Sequence, residues 1–140
     1  MNHTTVAFVG NPNCGKTSLF NAITGAKLKV ANYPGVTVER KEADVDFGQC
    51  HFTLVDLPGT YALTCYTMEE IVTRNEILNG NVDMIVNVVD ASNLERNLYL
   101  TLQLIELGKP VVVALNMMDI IKERGLEIDL HRLPEMLGVP

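Results

Sequence analysis

The stretch GNPNCGKT, from Gly10 to Thr17, limits the folds open to this chain more than any other part of it. It fits the pattern G-x-x-x-x-G-K-[ST], which binds phosphate when a strand precedes it and a helix follows it. Both neighbours are predicted, because Thr5–Val9 is a short apolar, β-branched run and Lys16–Ile23 has apolar residues at helical spacing. Backbone N–H groups of such a loop and helix surround an anion. The sequence therefore predicts a phosphate-binding α/β domain.

The rest of the chain alternates short apolar runs with segments of helical spacing. The predicted later strands are Val38–Phe47, Phe52–Val55, Asp83–Val89 and Pro110–Leu115, and the predicted later helices are Leu94–Leu107 and Leu130–Leu137. Ala26–Val36 is predicted to be a loop, since it contains Asn, Tyr, Pro and Gly in succession. The alternation predicts an α/β fold with three layers and a mostly parallel sheet, and the phosphate loop adds that this is a P-loop NTPase fold. The hairpin Val38–Val55 should add one antiparallel edge strand, and we expect the last strand and helix of such a domain beyond Pro140.

Composition and charge argue against several classes of protein. The formal net charge of −6 does not suit a nucleic-acid-binding module, which needs a basic surface. The three cysteines are scattered and odd in number, so we expect no disulfide framework. No apolar run approaches the roughly 20 residues that span a bilayer, and the N-terminus is too short and uncharged for a signal peptide. We expect a soluble intracellular domain that binds no nucleic acid.

The cysteine and histidine residues do not predict a transition-metal site. Cys50 and His51 are neighbours on a strand, so their side chains point to opposite faces of the sheet. Cys14 lies inside the phosphate loop, and neither His3 nor Cys65 belongs to a C-x-x-C or H-x-x-E pair. Metal sites need several ligands that converge on one point. We therefore expect none of these residues to bind iron.

Within the phosphate loop, the residue types match the chemistry of nucleotide phosphates. Lys16 carries a mobile positive charge for the β- and γ-phosphates, and the Thr17 hydroxyl suits Mg²⁺, which prefers oxygen ligands. Pro12 fixes one backbone angle and removes one N–H donor, whereas the sequence assigns no role to Asn11. The residues of this segment predicted to bind the nucleotide are Gly10, Asn11, Pro12, Asn13, Cys14, Gly15, Lys16, Thr17 and Ser18.

A second motif, D-x-x-G, runs from Asp56 to Gly59 at the end of a predicted strand. Ligands of open α/β sheets bind at the carboxyl ends of the strands, so Asp56 can hold a Mg²⁺-bound water and the Gly59 N–H can reach a γ-phosphate. Earlier in the chain, the loop segment Pro34–Thr37 ends on a hydroxyl that can make a second Mg²⁺ contact when the γ-phosphate is present. The predicted Mg²⁺ residues are Thr17, Thr37 and Asp56.

A third motif, N-x-x-D, identifies the base, and its residues Asn116, Met117 and Asp119 are predicted to contact the nucleotide. The Asp119 carboxylate can accept hydrogen bonds from N1–H and the exocyclic amine of guanine, a donor pair that adenine lacks. A site built around such bonds rejects the wrong base, because its buried groups then stay unpaired. Asn116 can brace the base and the phosphate loop. Taken alone, Asp119 is better explained as the cap of a helix beginning at Ile120; together with the phosphate loop it predicts GTP or GDP as the ligand.

Five longer stretches carry a family resemblance: GNPNCGKTSLFNAITG, NYPGVTVERKE, LVDLPGTYAL, VVDASNLERNLYLTLQL and ALNMMD. Together they resemble the cytoplasmic G domain of the FeoB family of bacterial ferrous-iron transport proteins, within the Ras-like (TRAFAC-class) GTPases. The resemblance implies that residues 1–140 form a GTP-hydrolysing G domain, truncated at its C-terminus, on the cytoplasmic side of the bacterial inner membrane. It implies a helical regulatory domain and a membrane-transport domain of the same full-length protein as partners. The oligomeric state stays open.

Hydrolysis is a separate question, because Ras-like enzymes carry Gln directly after D-x-x-G to orient water and this chain carries Thr60. We therefore expect slow hydrolysis, or another group that stabilises the transition state. The alternative is a nucleotide-sensing module with negligible turnover. Glu39, Glu69 and Glu70 are candidate bases, although a solvated helix start or strand surface is the more common place for glutamate.

A monovalent cation can supply the positive charge that an arginine finger supplies elsewhere. The sequence offers no obvious arginine finger, since Arg40 falls on a predicted strand and Arg74 on a predicted helix. Related GTPases with Asn at the position of Asn13, the FeoB family included, are activated by K⁺, so the resemblance implies a K⁺ site at Asn13 and at carbonyls around Ala31–Tyr33. Alternatively, Asn13 only tolerates a turn conformation. The predicted catalytic residues are Asn13, Lys16, Thr37 and Gly59.

Overall fold

The computed structural model describes residues 2–25, 28–123, 125 and 132–140. The strands are β1 (Asn2–Gly10), β2 (Lys29–Asn32), β3 (Glu39–Phe47), β4 (Cys50–Asp56), β5 (Met84–Asp90) and β6 (Val111–Asn116). The helices are α1 (Lys16–Thr24), α2 (Met68–Asn79), α3 (Leu94–Glu106), α4 (Met118–Glu123) and α5 (Arg132–Leu137), and a 3₁₀ turn covers Ala91–Asn93. The strands and helices predicted from the sequence are present, apart from residues 130 and 131 of the last predicted helix, which lie outside the described residues.

All six strands belong to one sheet, in the order β2-β3-β4-β1-β5-β6. Neighbours among β4, β1, β5 and β6 run parallel, whereas β3 is antiparallel to both β2 and β4. The predicted, mostly parallel sheet is therefore confirmed. Parallel strands bring their carboxyl ends to one edge of a sheet. The three predicted motifs follow those ends, because β1 ends at Gly10, β4 at Asp56 and β6 at Asn116.

The outer edge of the antiparallel part differs from the prediction. Lys29–Asn32, predicted as part of a loop, forms β2 and pairs with β3, so β2 rather than β3 is the edge strand. All four residues of β2 are exposed, and a strand exposed on both faces lacks the alternation of apolar and polar residues from which strands are predicted. Residues 26 and 27 of the predicted loop lie outside the described residues.

Hydrophobic clusters lie on both faces of the sheet. On one face, Phe20 of α1 packs edge-to-face on Phe8 of β1, with ring centroids 5.3 Å apart. On the other face, side chains of α2 and α3 pack on the strands, in a cluster that includes Ala7, Val9, Val55, Ile77, Ile85, Leu100 and Leu104. Successive residues of β1 alternate between the two clusters, as the pleat of a strand requires. The sheet is therefore the middle of three layers, as predicted, and its central strands are covered on both sides.

Helix α3 begins without a side-chain cap at its own first position. Asn93 occupies the cap position, but its side chain makes no cap hydrogen bond. Instead, the Asp90 carboxylate accepts a hydrogen bond of 2.8 Å from the Ser92 N–H and caps the 3₁₀ turn that leads into the helix. This carboxylate follows β5, at the same edge of the sheet as the phosphate loop. None of the helices in the described ranges is long and apolar enough to cross a bilayer.

Candidate functional site

The phosphate loop connects the end of β1 to the start of α1 and is shaped by two residues with positive φ. Asn13 has φ 64° and Gly15 has φ 85°, a region in which glycine is unstrained and asparagine is tolerated. The conformation of Asn13 therefore agrees with the turn interpretation and leaves the K⁺ interpretation as a prediction. The Gly10 carbonyl accepts a hydrogen bond of 3.0 Å from the Thr60 N–H, which ties the loop to the segment after D-x-x-G.

Gly15 also stands where no side chain fits. A Cβ atom at Gly15 would lie 2.1 Å from the Nδ2 atom of Asn116. That amide donates a hydrogen bond of 3.0 Å to the Cys14 carbonyl. The first and third motifs, far apart in the sequence, are therefore in direct contact, as the predicted bracing role of Asn116 requires.

Lys16 and Asp56 form a buried ion pair between the phosphate loop and the second motif. Only 7% of the Lys16 side chain and 4% of the Asp56 side chain are exposed. The Thr17 hydroxyl donates a hydrogen bond of 3.4 Å to the other oxygen of the same carboxylate. The predicted phosphate ligand and two of the predicted Mg²⁺ residues are therefore in contact with one another.

A cleft of about 350 Å³ joins these residues to Thr37, at the end of the loop segment Pro34–Thr37. Its lining includes the predicted residues Lys16, Thr17, Thr37, Asp56 and Gly59. Two hydroxyls and one carboxylate on one cleft are the oxygen ligands that Mg²⁺ prefers, so the residues present fit this ion. A neighbouring polar cavity, also about 350 Å³, is lined by Gly59 together with Asn11, Pro12, Asn13, Cys14, Gly15, Lys16, Thr17 and Ser18.

The third motif ends β6 and begins α4. Met117 has φ 63°, and Asp119 lies in the first turn of α4 rather than before it. The alternative that Asp119 caps a helix beginning at Ile120 is therefore wrong, because the helix begins at Met118. The Asp119 side chain is exposed, as a group that receives a ligand from solvent must be.

Among the candidate bases, Glu39 and Glu69 line the same cleft as Lys16. Glu70 does not, and the expectation that it is solvated is wrong, since the residue is buried. Its carboxylate accepts hydrogen bonds from the backbone N–H groups of Tyr66, at 2.8 Å, and Thr67, at 3.4 Å. In return, the Glu70 N–H donates to the Thr67 hydroxyl, which completes a capping box at the start of α2.

The segment that follows D-x-x-G lies along α3. The guanidinium of Arg96 stacks on the Tyr61 ring, 4.0 Å from its centroid, and the Leu63 N–H donates a hydrogen bond of 2.7 Å to the Gln103 side chain. Arg96 also lines a polar cavity of about 290 Å³ together with Asn13. The sequence does not single out Arg96 as a cation near the phosphate loop, because only the packing of α3 brings it there.

Three polar side chains of the site, those of Cys14, Asn11 and Thr60, are buried. Burial raises the pKa of the Cys14 thiol above its ordinary value of 9.0, and a hydrogen bond with the Lys16 backbone offsets this effect only in part. This thiol stays protonated and unreactive at neutral pH. Asn11 is only 3% exposed, and neither polar atom of its side chain has a hydrogen-bond partner among the described residues. The same is true of the Thr60 hydroxyl. Buried polar groups normally have hydrogen-bond partners, so these unpaired atoms indicate that a ligand or water binds at the loop.

The chain is similar to known proteins over nearly its whole length. A family model described as Ferrous iron transport protein B matches residues 4–140. The Fe(2+) transporter FeoB of Shigella flexneri is 52% identical over 144 residues, which cover 100% of this chain and 19% of that protein. The chain therefore spans 19% of the length of this curated relative.

Two solved structures are similar to the chain over nearly its full length. The cytosolic domain of the T. maritima FeoB iron transporter in GDP form II has a TM-score of 0.95 at 44% identity, over 99% of this chain and 55% of that one. A variant of S. thermophilus NFeoB bound to mGDP has a TM-score of 0.92 at 51% identity, over 99% of this chain and 53% of that one. Both likenesses confirm the predicted fold.

Proposed function

The chain belongs to the ferrous iron transport protein B family, and we propose that it is a G domain that binds GTP and GDP with Mg²⁺ and hydrolyses GTP slowly. The observation that carries the proposal is the meeting of the three motifs at one edge of the sheet. The Asn116 amide bonds to the Cys14 carbonyl of the phosphate loop, while Lys16, Thr37 and Asp56 line one cleft. Relatives in this family are described as bound to GDP or mGDP, which supports the same ligand here.

The phosphate loop and Lys16 bind the phosphates in this proposal. Lys16 leaves its ion pair with Asp56 and places its charge at the β- and γ-phosphates, while the loop N–H groups surround the anion. Asp56, Thr17 and Thr37 are the residues that would hold Mg²⁺, directly or through water. When bound, Mg²⁺ neutralises charge on the phosphate oxygens. Asp119 accepts from the guanine edge and so selects guanine over adenine.

Slow hydrolysis follows from the residue after D-x-x-G. Thr60 is buried, and its N–H is bound to the Gly10 carbonyl. A short buried hydroxyl there cannot orient water as a glutamine does. The same observation favours the second candidate, a nucleotide-sensing module with negligible turnover. Single-turnover hydrolysis of GTP in K⁺ separates the two, because only a GTPase converts bound GTP to GDP faster than the nucleotide decays in buffer.

K⁺ stimulation is the finer part of the proposal and rests on Asn13. This side chain lines the cavity above the phosphate loop, where an amide oxygen can contribute to a cation site beside the phosphates. Arg96 lines the adjoining polar cavity and is the other cation that could supply charge there. The two assignments predict different responses to salt and to mutation.

The test is GTP turnover by the purified chain in K⁺, Na⁺ and Cs⁺ at equal ionic strength. We expect turnover to be faster in K⁺ than in Na⁺ or Cs⁺, and Asn13→Ala to remove the difference. Asn75→Ala, which changes an exposed asparagine of α2, is the matched control and should keep it. Equal rates in the three salts would refute K⁺ stimulation, and a K⁺-independent rate that is lost in Arg96→Ala would assign the charge to the arginine instead.

The place of this domain in a longer protein is proposed from its relatives. Since the chain spans 19% of the length of the transporter that it matches and is similar to the cytosolic domain of another family member, we infer that residues 1–140 act on the cytoplasmic side of the bacterial inner membrane. Their partner there would be the membrane-transport domain of the same full-length protein. In this role the switch segments, which include Thr37 and Gly59, change position with the bound nucleotide and report its state to that partner.

A further inference from the structure

Two histidines lie side by side on the sheet, at the end away from the phosphate loop. His3 of β1 is directly opposite His51 of the parallel strand β4. On the other side of β4, antiparallel β3 places Asp46 opposite His51 and Asp44 opposite Thr53. Paired positions on neighbouring strands point to the same face of a sheet. All five side chains therefore share one face. Hydrogen bonds join His3, Thr53 and Asp44 in one group and His51 with Asp46 in another.

The hydrogen bonds of Thr53 determine the tautomer of His3. The Thr53 hydroxyl donates its single hydrogen to an oxygen of Asp44, at 2.9 Å, because an ionised carboxylate can only accept. The contact of 2.8 Å between the same hydroxyl and Nε2 of His3 must then have the ring as donor. Neutral His3 carries its proton on Nε2, and its Nδ1 atom keeps a lone pair.

The second imidazole is held in the complementary way. Nδ1 of His51 contacts a carboxylate oxygen of Asp46, so this nitrogen carries the proton and Nε2 keeps the lone pair. Histidines that bind metals almost always donate their other ring N–H to a carboxylate, a carbonyl or water, which fixes the tautomer and makes the binding nitrogen more basic. His51 has such a carboxylate partner, and His3 reaches one through the Thr53 hydroxyl.

We propose that Nδ1 of His3 and Nε2 of His51 bind a first-row divalent transition-metal ion, with water in its other positions. Imidazole nitrogen suits Zn²⁺, Cu²⁺, Ni²⁺ and Fe²⁺, whereas Mg²⁺ prefers oxygen. The His51 side chain is 42% exposed, so its ring can be reached from solvent. Among the described residues no group of three or more His, Cys, Asp or Glu side chains is placed to hold a metal ion, so in this proposal water fills every position that the two imidazoles leave open.

The sequence cannot predict this pair. The side chains of Cys50 and His51 do point to opposite faces, as expected. The partner of His51 is instead His3, which joins it through the register of two parallel strands. Asp46 and Asp44 join them only through the pairing of β3 with β4. Strand order and register are tertiary properties, which spacing along the chain does not reveal.

The test is a calorimetric titration of the tag-free, nucleotide-free chain with Zn²⁺, supported by the visible spectrum of the Co²⁺ complex. We expect one saturable site that excess Mg²⁺ does not displace. His3→Ala and His51→Ala should each abolish it, and Asp46→Asn should weaken it about 10- to 100-fold by removing the supporting carboxylate. Glu106→Gln, on exposed α3 surface, is the matched control and should bind as the wild type does.

Several results would overturn the proposal. Absence of saturable Zn²⁺ binding by the wild type would do so, and so would wild-type affinity in both alanine variants. Thiolate-to-Co²⁺ charge-transfer bands in the near ultraviolet would assign the ion to cysteine instead. His131 is retained throughout, so binding that survives in the double variant His3→Ala/His51→Ala would belong elsewhere. Thermal unfolding of each variant, together with His51→Gln, separates loss of the site from loss of the fold.

Discussion

Replacing Lys16 with methionine should cost the nucleotide-free protein about 3 kcal/mol of folding free energy, because the buried Asp56 carboxylate then loses its partner. The exposed fractions of the two side chains are 7% and 4%, and breaking such a pair typically costs 3–5 kcal/mol. The low end applies because the Thr17 hydroxyl still donates to the carboxylate and the adjoining cleft admits water. For a chain of 140 residues, about 3 kcal/mol lowers the melting temperature by about 10 °C.

A double-mutant cycle tests the reasoning. The free energies of unfolding of Lys16→Met, Asp56→Asn and the double variant are measured by urea denaturation in EDTA, without nucleotide. The double variant should be destabilised by less than the sum of the single changes, with a coupling energy of at least about 2 kcal/mol. As a control, Lys29→Met removes the ion pair with Asp44, in which the Lys29 side chain is 76% exposed and the Asp44 side chain 64% exposed. This change should cost less than about 1 kcal/mol of folding free energy. A coupling energy near zero would show that the two groups are not paired in the nucleotide-free protein.

Substitutions of Gly15, Glu70 and Cys14 each test one local feature of the structure. Gly15→Ala places a Cβ atom 2.1 Å from the Asn116 amide, so GDP affinity, measured by fluorescent-nucleotide titration, should fall at least about tenfold while the circular dichroism of the fold is kept. Glu70→Ala removes the capping box and should cost about 1–2 kcal/mol in urea denaturation, whereas the exposed control Glu69→Ala should cost less than about 0.5 kcal/mol; equal costs would contradict the buried role. Burial raises the pKa of the Cys14 thiol above 9.0, so the folded protein holds this proton more tightly than the unfolded chain. The thiol therefore makes its whole contribution to stability below pH 9.0, and this contribution is lost as the pH rises further. Cys14→Ala should flatten that alkaline decline in a pH series of urea denaturations, and an unchanged slope would count against it.

The parts of this molecule that the sequence predicts best are those whose chemistry is local. The phosphate loop needs its glycines and Lys16 within a few residues, and each later motif is as short. β2 could not be predicted, because Lys29–Asn32 is exposed on both faces and has no apolar alternation. The buried capping role of Glu70 also depends on the path of the preceding loop, as does the contact of Arg96 with Tyr61.

For contacts between residues far apart in the sequence, a motif can predict that a contact exists but not which atoms make it. The N-x-x-D motif predicts that Asn116 braces the phosphate loop, and the structure adds the acceptor, the Cys14 carbonyl. No motif predicts that His3 and His51 are neighbours, since neither residue belongs to one. Chemistry that depends on strand register therefore becomes visible only with the fold.

The proposed recognition of guanine by Asp119 can be tested by a change of base preference. Affinities for GDP and XDP are measured by competition with a fluorescent nucleotide, for the wild type and for Asp119→Asn. We expect the wild type to prefer GDP by at least about a hundredfold and the variant to prefer XDP, because the amide donates to the xanthine oxygen where the carboxylate accepted from the guanine amine. An unchanged preference in Asp119→Asn, or equal competition by ADP in the wild type, would show that Asp119 does not select guanine.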